Sequence, residues 1–515
     1  MIGTSLNAPR RSAELDALAD RREPVDLLVI GGGVTGAGVA LDAATRGLTV
    51  VLAEKHDLAF GTSRWSSKLV HGGLRYLAGG HVGIAHESAV ERGILLRHTA
   101  PHLVRALPQL LPLLPATNAS MAGVVRAGQL AGDVLRIAAR TPGHMLPRSR
   151  RVSGTEMRHY APTVRTEGLR GGLLFWDGQL VDDARLVVGL ARTAASHGAI
   201  VLTRCEATQV TGHGAVIRDG LTGAELPVAA RMVINAAGVW AGGLAEGIRL
   251  RPSRGTHLVL PQAAFAGDGP GLQAGLTVPV PGRVGRFVFA LPALDGRVYV
   301  GITDEDAPGP APDVPTASDA EIDFLLSTIN SVLRAPLTRA DLLGTYSGLR
   351  PLLDAGGGAS ADVSRKHVVA TGADGLVTVV GGKLTTYRRM AQDALDAALR
   401  HSRIVAGPCR TARLPLVGAS GSADPAVDLA PARLVRLYGA EAMAVVAEAG
   451  GDPALLEPIA HGVPTTMAEL LFAVRHEGAL DDADLLDRRT RIGLDPAARE
   501  RALPAARAAL AFATG

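Results

Sequence analysis

The feature that most restricts this chain is Gly31-Gly32-Gly33-Val34-Thr35-Gly36, set between an apolar run and a stretch of small residues. Val25 to Ile30, apolar but for Asp26, stops at glycine and predicts a buried parallel strand. Ala37 to Arg46 predicts a tightly packed helix ended by Gly47, and Leu48 to Ala53 a second strand that ends at Glu54. Gly-x-Gly-x-x-Gly in that setting is the dinucleotide fingerprint. Gly31 permits the tight turn, Gly33 lets a pyrophosphate approach the backbone, and Gly36 lets helix and strand pack closely. The helix start, with Thr35 in its first turn, offers unpaired N–H groups to phosphates. Glu54 stands where an acid binds a ribose hydroxyl.

At 515 residues the chain exceeds one compact core, so two or three domains are expected. Apolar residues at 47% and charged residues at 20% exclude a disordered protein. Cys205 and Cys409 are the two cysteines, which excludes a disulfide scaffold or a Cys-held metal and suits a reducing compartment. With 53 basic against 49 acidic side chains and 3% aromatic content, nothing calls for a nucleic-acid partner. Only Lys55, Lys68, Lys366 and Lys383 are lysines; the other basic residues are Arg, so each Lys carries information. Met1 to Glu23 is polar with no apolar run, so no secretory signal is expected there. No run is long enough to span a membrane; the nearest, Leu107 to Leu114, is broken by Pro108 and Pro112.

Residues 55–80 predict loop, 83–101 helix, and 105–151 alternate apolar and basic patches ending at Arg136, Arg140, Arg148, Arg150 and Arg151. A helix is expected over 183–197, short strands over 199–234 and 256–304, a surface turn over 309–317 and a linker over 401–430, with helices beyond 431. The fingerprint alone serves FAD and NAD alike. FAD is favoured by a second strand-turn at Ile234 to Trp240, which includes Ala237 and Gly238, and by a third glycine turn, Gly381-Gly382-Lys383, opening a helix near 384. A helix start aimed at a flavin ring stabilises the negative charge of its reduced form.

The run Thr62-Ser63 … Ser66-Ser67-Lys68-Leu69-Val70-His71-Gly72-Gly73-Leu74-Arg75-Tyr76-Leu77 resembles the signature of FAD-dependent, aerobic respiratory sn-glycerol-3-phosphate dehydrogenases. So do Val181 to Leu186, Thr345 to Leu352, Gly381 to Arg388, and Asp487 to Leu494, the last similar to the family's cap-domain motif. The resemblance covers roughly residues 25–500. It departs at Ile302, where the family has Thr, at the turn 236–240, and through 105–151.

The resemblance implies an α/β fold: a Rossmann-like FAD domain from 24–80, 160–250 and 340–400, an antiparallel-sheet substrate domain from 81–159 and 251–339, and a helical cap over 410–515. It implies hydride transfer from C2 of glycerol 3-phosphate to flavin N5, with dihydroxyacetone phosphate as product and a quinone as acceptor. Oxygen as acceptor, or an amine or amino-acid substrate, are the alternatives. Arg75, Tyr76, Arg350, Arg365 and Lys383 are expected at the substrate, and His257, with His71 as second candidate, as the base. Thr62, Ser63, Ser66, Ser67, Lys68, His71, Gly72, Gly73, Ala207, Trp240, Leu384 and Thr385 join the glycine turns as expected FAD contacts. A homodimer is expected, cytoplasmic or lying on an anionic membrane surface through the basic stretch 136–151.

Overall fold

The computed structural model describes residues 3–73, 81–115, 119–283, 285–354, 366–419 and 429–514. Arg75, Tyr76 and Arg365 lie outside them.

The apolar run after residue 24 is the central strand Leu27–Ile30, buried at every position. It pairs in parallel with Val50–Ala53 on one side and Val233–Asn235 on the other. Ile200–Leu202 and Val377–Val380 extend the sheet, and antiparallel Val368–Thr371 closes one edge. The fingerprint helix Val34–Thr45 is buried on nearly all faces, because its small residues admit two further helices, Asp183–Ser196 and Tyr387–Ser402. A Cβ on Gly38 would stand 3.0 Å from the Tyr387 ring, so closeness here requires glycine.

A second sheet of ten strands runs through the middle of the molecule. Its strands alternate with period two. Leu110, Leu276, Val278 and Val288 face the helix Asp319–Asn330, whose Leu325 and Ile329 complete that core. Gln109, Leu111, Phe175, Thr277 and Phe289 face the other way, into a cavity. The sheets divide the chain differently from the expected boundaries. Gly172–Leu180 and Gly344–Arg350, expected with the FAD domain, are strands of the large sheet, as is Leu69–Val70. Pairing partners far away in sequence decide this, and local composition does not record them. Leu107 to Leu114, the most apolar stretch before 115, falls mostly in the strand Val104–Pro112.

The region 199–234 supplies a small antiparallel sheet, Cys205–Thr211, Gly214–Asp219 and Glu225–Ala229. The C-terminal part is helical, with one short hairpin, Pro458–Ala460 and Val463–Thr466. The polar N-terminus, with no expected element, forms the helix Ala8–Ala19, capped by Asn7. Arg11 pairs there with buried Asp219, and Ser5 bonds His476 of the C-terminal part at 2.7 Å. Among the described residues no helix is long and apolar enough to cross a membrane.

Candidate active site

Between the two sheets lies one cavity of about 1480 Å³. The fingerprint forms its floor. Gly31 has φ +105°, and a Cβ on Gly36 would lie 1.9 Å from the Gly31 carbonyl oxygen, so neither position takes another residue. The fingerprint helix has no side-chain cap at Gly33, which leaves first-turn N–H groups facing the cavity. Ser63 Oγ accepts from Val34 N at 2.9 Å, next to Gly33. Glu54 accepts from Gly32 N and His56 N, at 2.5 and 2.8 Å, and burial raises its carboxyl above the ordinary value.

The loop after the second strand is built rather than loose. Thr62 Oγ1 donates to the Leu349 carbonyl at 2.6 Å, and Ser66 Oγ to Asp183 at 2.7 Å. Lys68, expected as a cofactor contact, turns away from the cavity. It is buried 3.4 Å from Asp183 and over the ring of Tyr346. Burial lowers its pKa first, and the Asp183 carboxylate offsets part of that. His71 lines the cavity. Gly72 behind it donates its N–H to Asp177 at 3.0 Å, and Asp177 also holds Arg92 at 2.7 Å. A Cβ on Gly72 would meet Arg92 at 2.3 Å.

His257, expected as the base, does not line the cavity. It is wholly buried between strands, stacked on Tyr346 at 4.6 Å, and its Nε2 meets Ser67 Oγ at 2.8 Å. Burial, then the charges of Lys68 and Arg350, hold its pKa well below the ordinary value. The imidazole is therefore neutral at pH 7. It sits one residue behind the surface, with Ser67 in front of it. Gly36, Gly72 and Gly73 also support the wall without lining it. The other expected contacts within the described residues all line the cavity, from Gly31 to Thr385, with Ala207, Ala237, Gly238, Trp240, Gly382 and Leu384 among them.

Arg350 lines the far wall. Its guanidinium donates to the Thr303 carbonyl at 3.1 Å and to Asp304 at 3.0 Å, which fixes its orientation. Arg254 stands beside it, 2.9 Å from Glu321. Lys383 reaches Ser88 Oγ at 3.1 Å from the third glycine turn, where Gly381 and Gly382 have φ near +78° and +74°. Thr385, just beyond, has a buried Oγ1 with no partner among the described residues. Asp177, Arg92 and Glu321 were not singled out in the sequence, and Asp183 and Asp304 entered only as members of motifs that carry the resemblance, without a role. The roles of all five come from long-range pairing.

The C-terminal motif reaches this same loop. Arg489 clasps Asp57 with two bonds, 2.7 and 2.8 Å, and Arg488 bonds the same carboxylate at 2.5 Å. Burial alone would raise the Asp57 carboxyl, but the two guanidiniums outweigh it and hold it well below the carboxylate range. Arg491 donates to the Arg64 carbonyl at 2.5 Å and lies 3.2 Å from Asp182.

Fold and site define an FAD-dependent oxidoreductase. A family model described as FAD dependent oxidoreductase matches residues 26–388, and one described as the C-terminal domain of alpha-glycerophosphate oxidase matches 409–514. The chain belongs to the FAD-dependent glycerol-3-phosphate dehydrogenase family. It is 56% identical to glycerol-3-phosphate dehydrogenase 1 of Mycobacterium tuberculosis over 98% of each chain. It is 37% identical to the mitochondrial glycerol-3-phosphate dehydrogenase SDP6 of Arabidopsis thaliana, over 96% of this chain and 84% of that one. The crystal structure of the Bacillus halodurans glycerol-3-phosphate dehydrogenase, complexed with FAD, superposes with a TM-score of 0.75 at 27% identity, covering 99% of this chain and 94% of that one. The cofactor is FAD, and the residues fit it: a glycine cradle that any Cβ would fill, a helix start whose Gly33 supplies no cap, and a Thr385 hydroxyl with no partner among the described residues.

Proposed function

We propose that this protein oxidises sn-glycerol 3-phosphate to dihydroxyacetone phosphate and passes the electrons to a quinone. The observation that carries the reading is a juxtaposition: Arg254, Arg350 and Lys383 share one cavity with His71, beside the dinucleotide turn. A phosphate monoester is a dianion and calls for fork-shaped cations. A protonated amine would be repelled by the same three groups, which favours the phosphate ester over the amine substrate. The named relatives act on glycerol 3-phosphate, and 56% identity over the full length supports carrying that substrate over.

FAD supplies the acceptor for the C2 hydride. The protein's part is binding and proton transfer. Arg350, held in place by Thr303 and Asp304, sets a fixed guanidinium charge toward the phosphate, and Lys383 adds a compact positive charge. Of the two histidines, His71 has the access a base needs, so it takes the C2 hydroxyl proton. His257 positions Ser67, and its cationic form is opposed by burial and by two neighbouring charges.

Membrane attachment belongs to the same proposal. The helix Ala119–Ala138 exposes Leu130, Val134 and Ile137 along one face, with Val124 also exposed nearer the cavity side. Such a stripe, with Arg140, Arg148 and Arg151 exposed at its end, suits an anionic bilayer surface. Arg136, expected in that basic stretch, is buried and bonds the Thr141 carbonyl, and Arg150 is paired with Glu156. The resemblance implies a homodimer on the cytoplasmic side. The test is product analysis: protein, glycerol 3-phosphate and a quinone should give dihydroxyacetone phosphate and quinol in equal amounts. Hydrogen peroxide in place of quinol would move the acceptor to oxygen.

A further inference from the structure

Two contacts of the site, Lys383 with Ser88 and Asp177 with Arg92, end on one helix, Val82–Ile94. Ser88 and Arg92 are four residues apart and Glu91 is three from Ser88, so all three share a face. The Glu91 carboxylate accepts from Arg388 Nε at 2.8 Å and Nη2 at 2.5 Å, a buried two-bond pair. Arg388 stands five residues after Lys383, in the helix Tyr387–Ser402 that follows the third glycine turn. One helix face therefore grips that turn region at two points, Lys383 and Arg388. It grips the His71 loop at a third: Arg92 reaches Asp177 at 2.7 Å, and Asp177 takes the Gly72 N–H at 3.0 Å.

Helix and loop are fitted to each other. A Cβ on Gly73 would lie 3.0 Å from Ala85 Cα and 3.3 Å from Ser88 Cβ, and one on Gly72 would lie 2.3 Å from Arg92 Nη1. Ala85 and Ala89 also pack with Leu135 and Ala139, which backs the helix with a small core of its own. Ser88, Glu91 and Arg92 are 0%, 3% and 5% exposed. Ser88 Oγ gives its proton to the Ile84 carbonyl at 2.8 Å, which leaves its lone pairs to accept from the Lys383 ammonium. Buried ion pairs are a poor source of stability. What they supply here is direction.

We infer that Ser88 and Arg92 are positioning residues for the reaction proposed above, one for Lys383 and the other for His71, on a helix that Glu91 fastens to Arg388. The helix sets the two groups at one separation, so the substrate's negative charge and its C2 hydroxyl proton are met together. An error of about 1 Å in such a separation can cost on the order of 10²-fold in rate. The inference rests on the roles given above to His71 and Lys383.

The test is a pair of double-mutant cycles on the flavin-loaded protein, read as the limiting rate of anaerobic flavin reduction by sn-glycerol 3-phosphate. Flavin content and thermal midpoint are the fold controls. Ser88→Ala removes the acceptor and adds no bulk; it should slow reduction about fivefold or more. Added to Lys383→Met it should cost nothing further, because the hydroxyl acts through that ammonium. Arg92→Lys keeps the charge and loses the fork, and should likewise cost nothing further on top of His71→Gln. Losses that multiply in a cycle, or a wild-type rate in the single variant, overturn the role of that residue. A second measurement needs no turnover. Limiting acetic anhydride labels the four lysines, and mass spectrometry compares Lys383 with exposed Lys55. Lys383 should label about threefold faster in Ser88→Ala, the worth of one hydrogen bond. Unchanged labelling overturns the contact whatever glycerol 3-phosphate does. Faster labelling in a protein that glycerol 3-phosphate never reduces upholds the placement of Lys383 and overturns the substrate reading.

Discussion

Gly36 has no room for a side chain. With a Cβ 1.9 Å from the Gly31 oxygen, even Gly36→Ala must part helix and strand at the cofactor turn. The expected outcome is protein purified without flavin, read as the absorbance ratio of the visible flavin band to the protein band. The two histidines divide differently. His71→Gln should slow anaerobic flavin reduction by about 10²-fold or more, the usual worth of a positioned base. His257→Gln, which keeps a bond to Ser67, should cost no more than about tenfold, since it acts through that hydroxyl. Stopped-flow reduction measures both. If His257→Gln is the slower of the pair, the proton passes through Ser67 to the buried ring.

Two elements carry what the sequence does not declare. The helix Ala119–Ala138 falls where the chain matches its resemblance least well, yet it bounds the cavity and turns an apolar stripe outward. Val134→Asp with Ile137→Asp should abolish sedimentation with anionic vesicles while leaving the visible spectrum of the bound flavin unchanged. The turn carrying Arg488, Arg489 and Arg491 braces the loop 57–68 from the C-terminal part. Asp57→Ala leaves the buried Arg489 guanidinium without its carboxylate, while Arg488 keeps Asp484, and such a loss costs about 3–5 kcal/mol. Urea denaturation should show the midpoint falling by that equivalent. The motif 487–494 was legible as a resemblance, but its partners were not. Among so many arginines, only the folded chain tells which find a buried carboxylate.

Across the whole molecule, the glycine turns were legible because each demands something no other residue supplies: a positive φ at Gly31, Gly381 and Gly382, a close approach at Gly36. Strand allegiance was not, since Gly172–Leu180 reads like any half-apolar segment until Val104–Pro112 pairs with it. Ser88, Arg92 and Asp177 escaped for the same reason. The contact between the main body and the C-terminal part has its own signature in His102, whose ring lies against Gly418 and Gly439 and whose Nδ1 has no partner among the described residues. Burial, then the charge of Arg185, lowers its pKa to about 4. The unfolded chain takes up this proton near pH 6.5 and the folded chain does not until about pH 4. Stability is therefore full above pH 6.5 and falls as the pH drops toward 4, by on the order of 2–3 kcal/mol from this group. His102→Phe should flatten that part of the pH–stability curve in thermal melts.

The most direct measurement is an anaerobic titration of the flavin-loaded protein with sn-glycerol 3-phosphate, followed at the flavin band of about 450 nm. The account predicts that the band bleaches as substrate is added and that dihydroxyacetone phosphate forms in proportion. A protein that stays yellow with glycerol 3-phosphate, yet bleaches with dithionite, would contradict it.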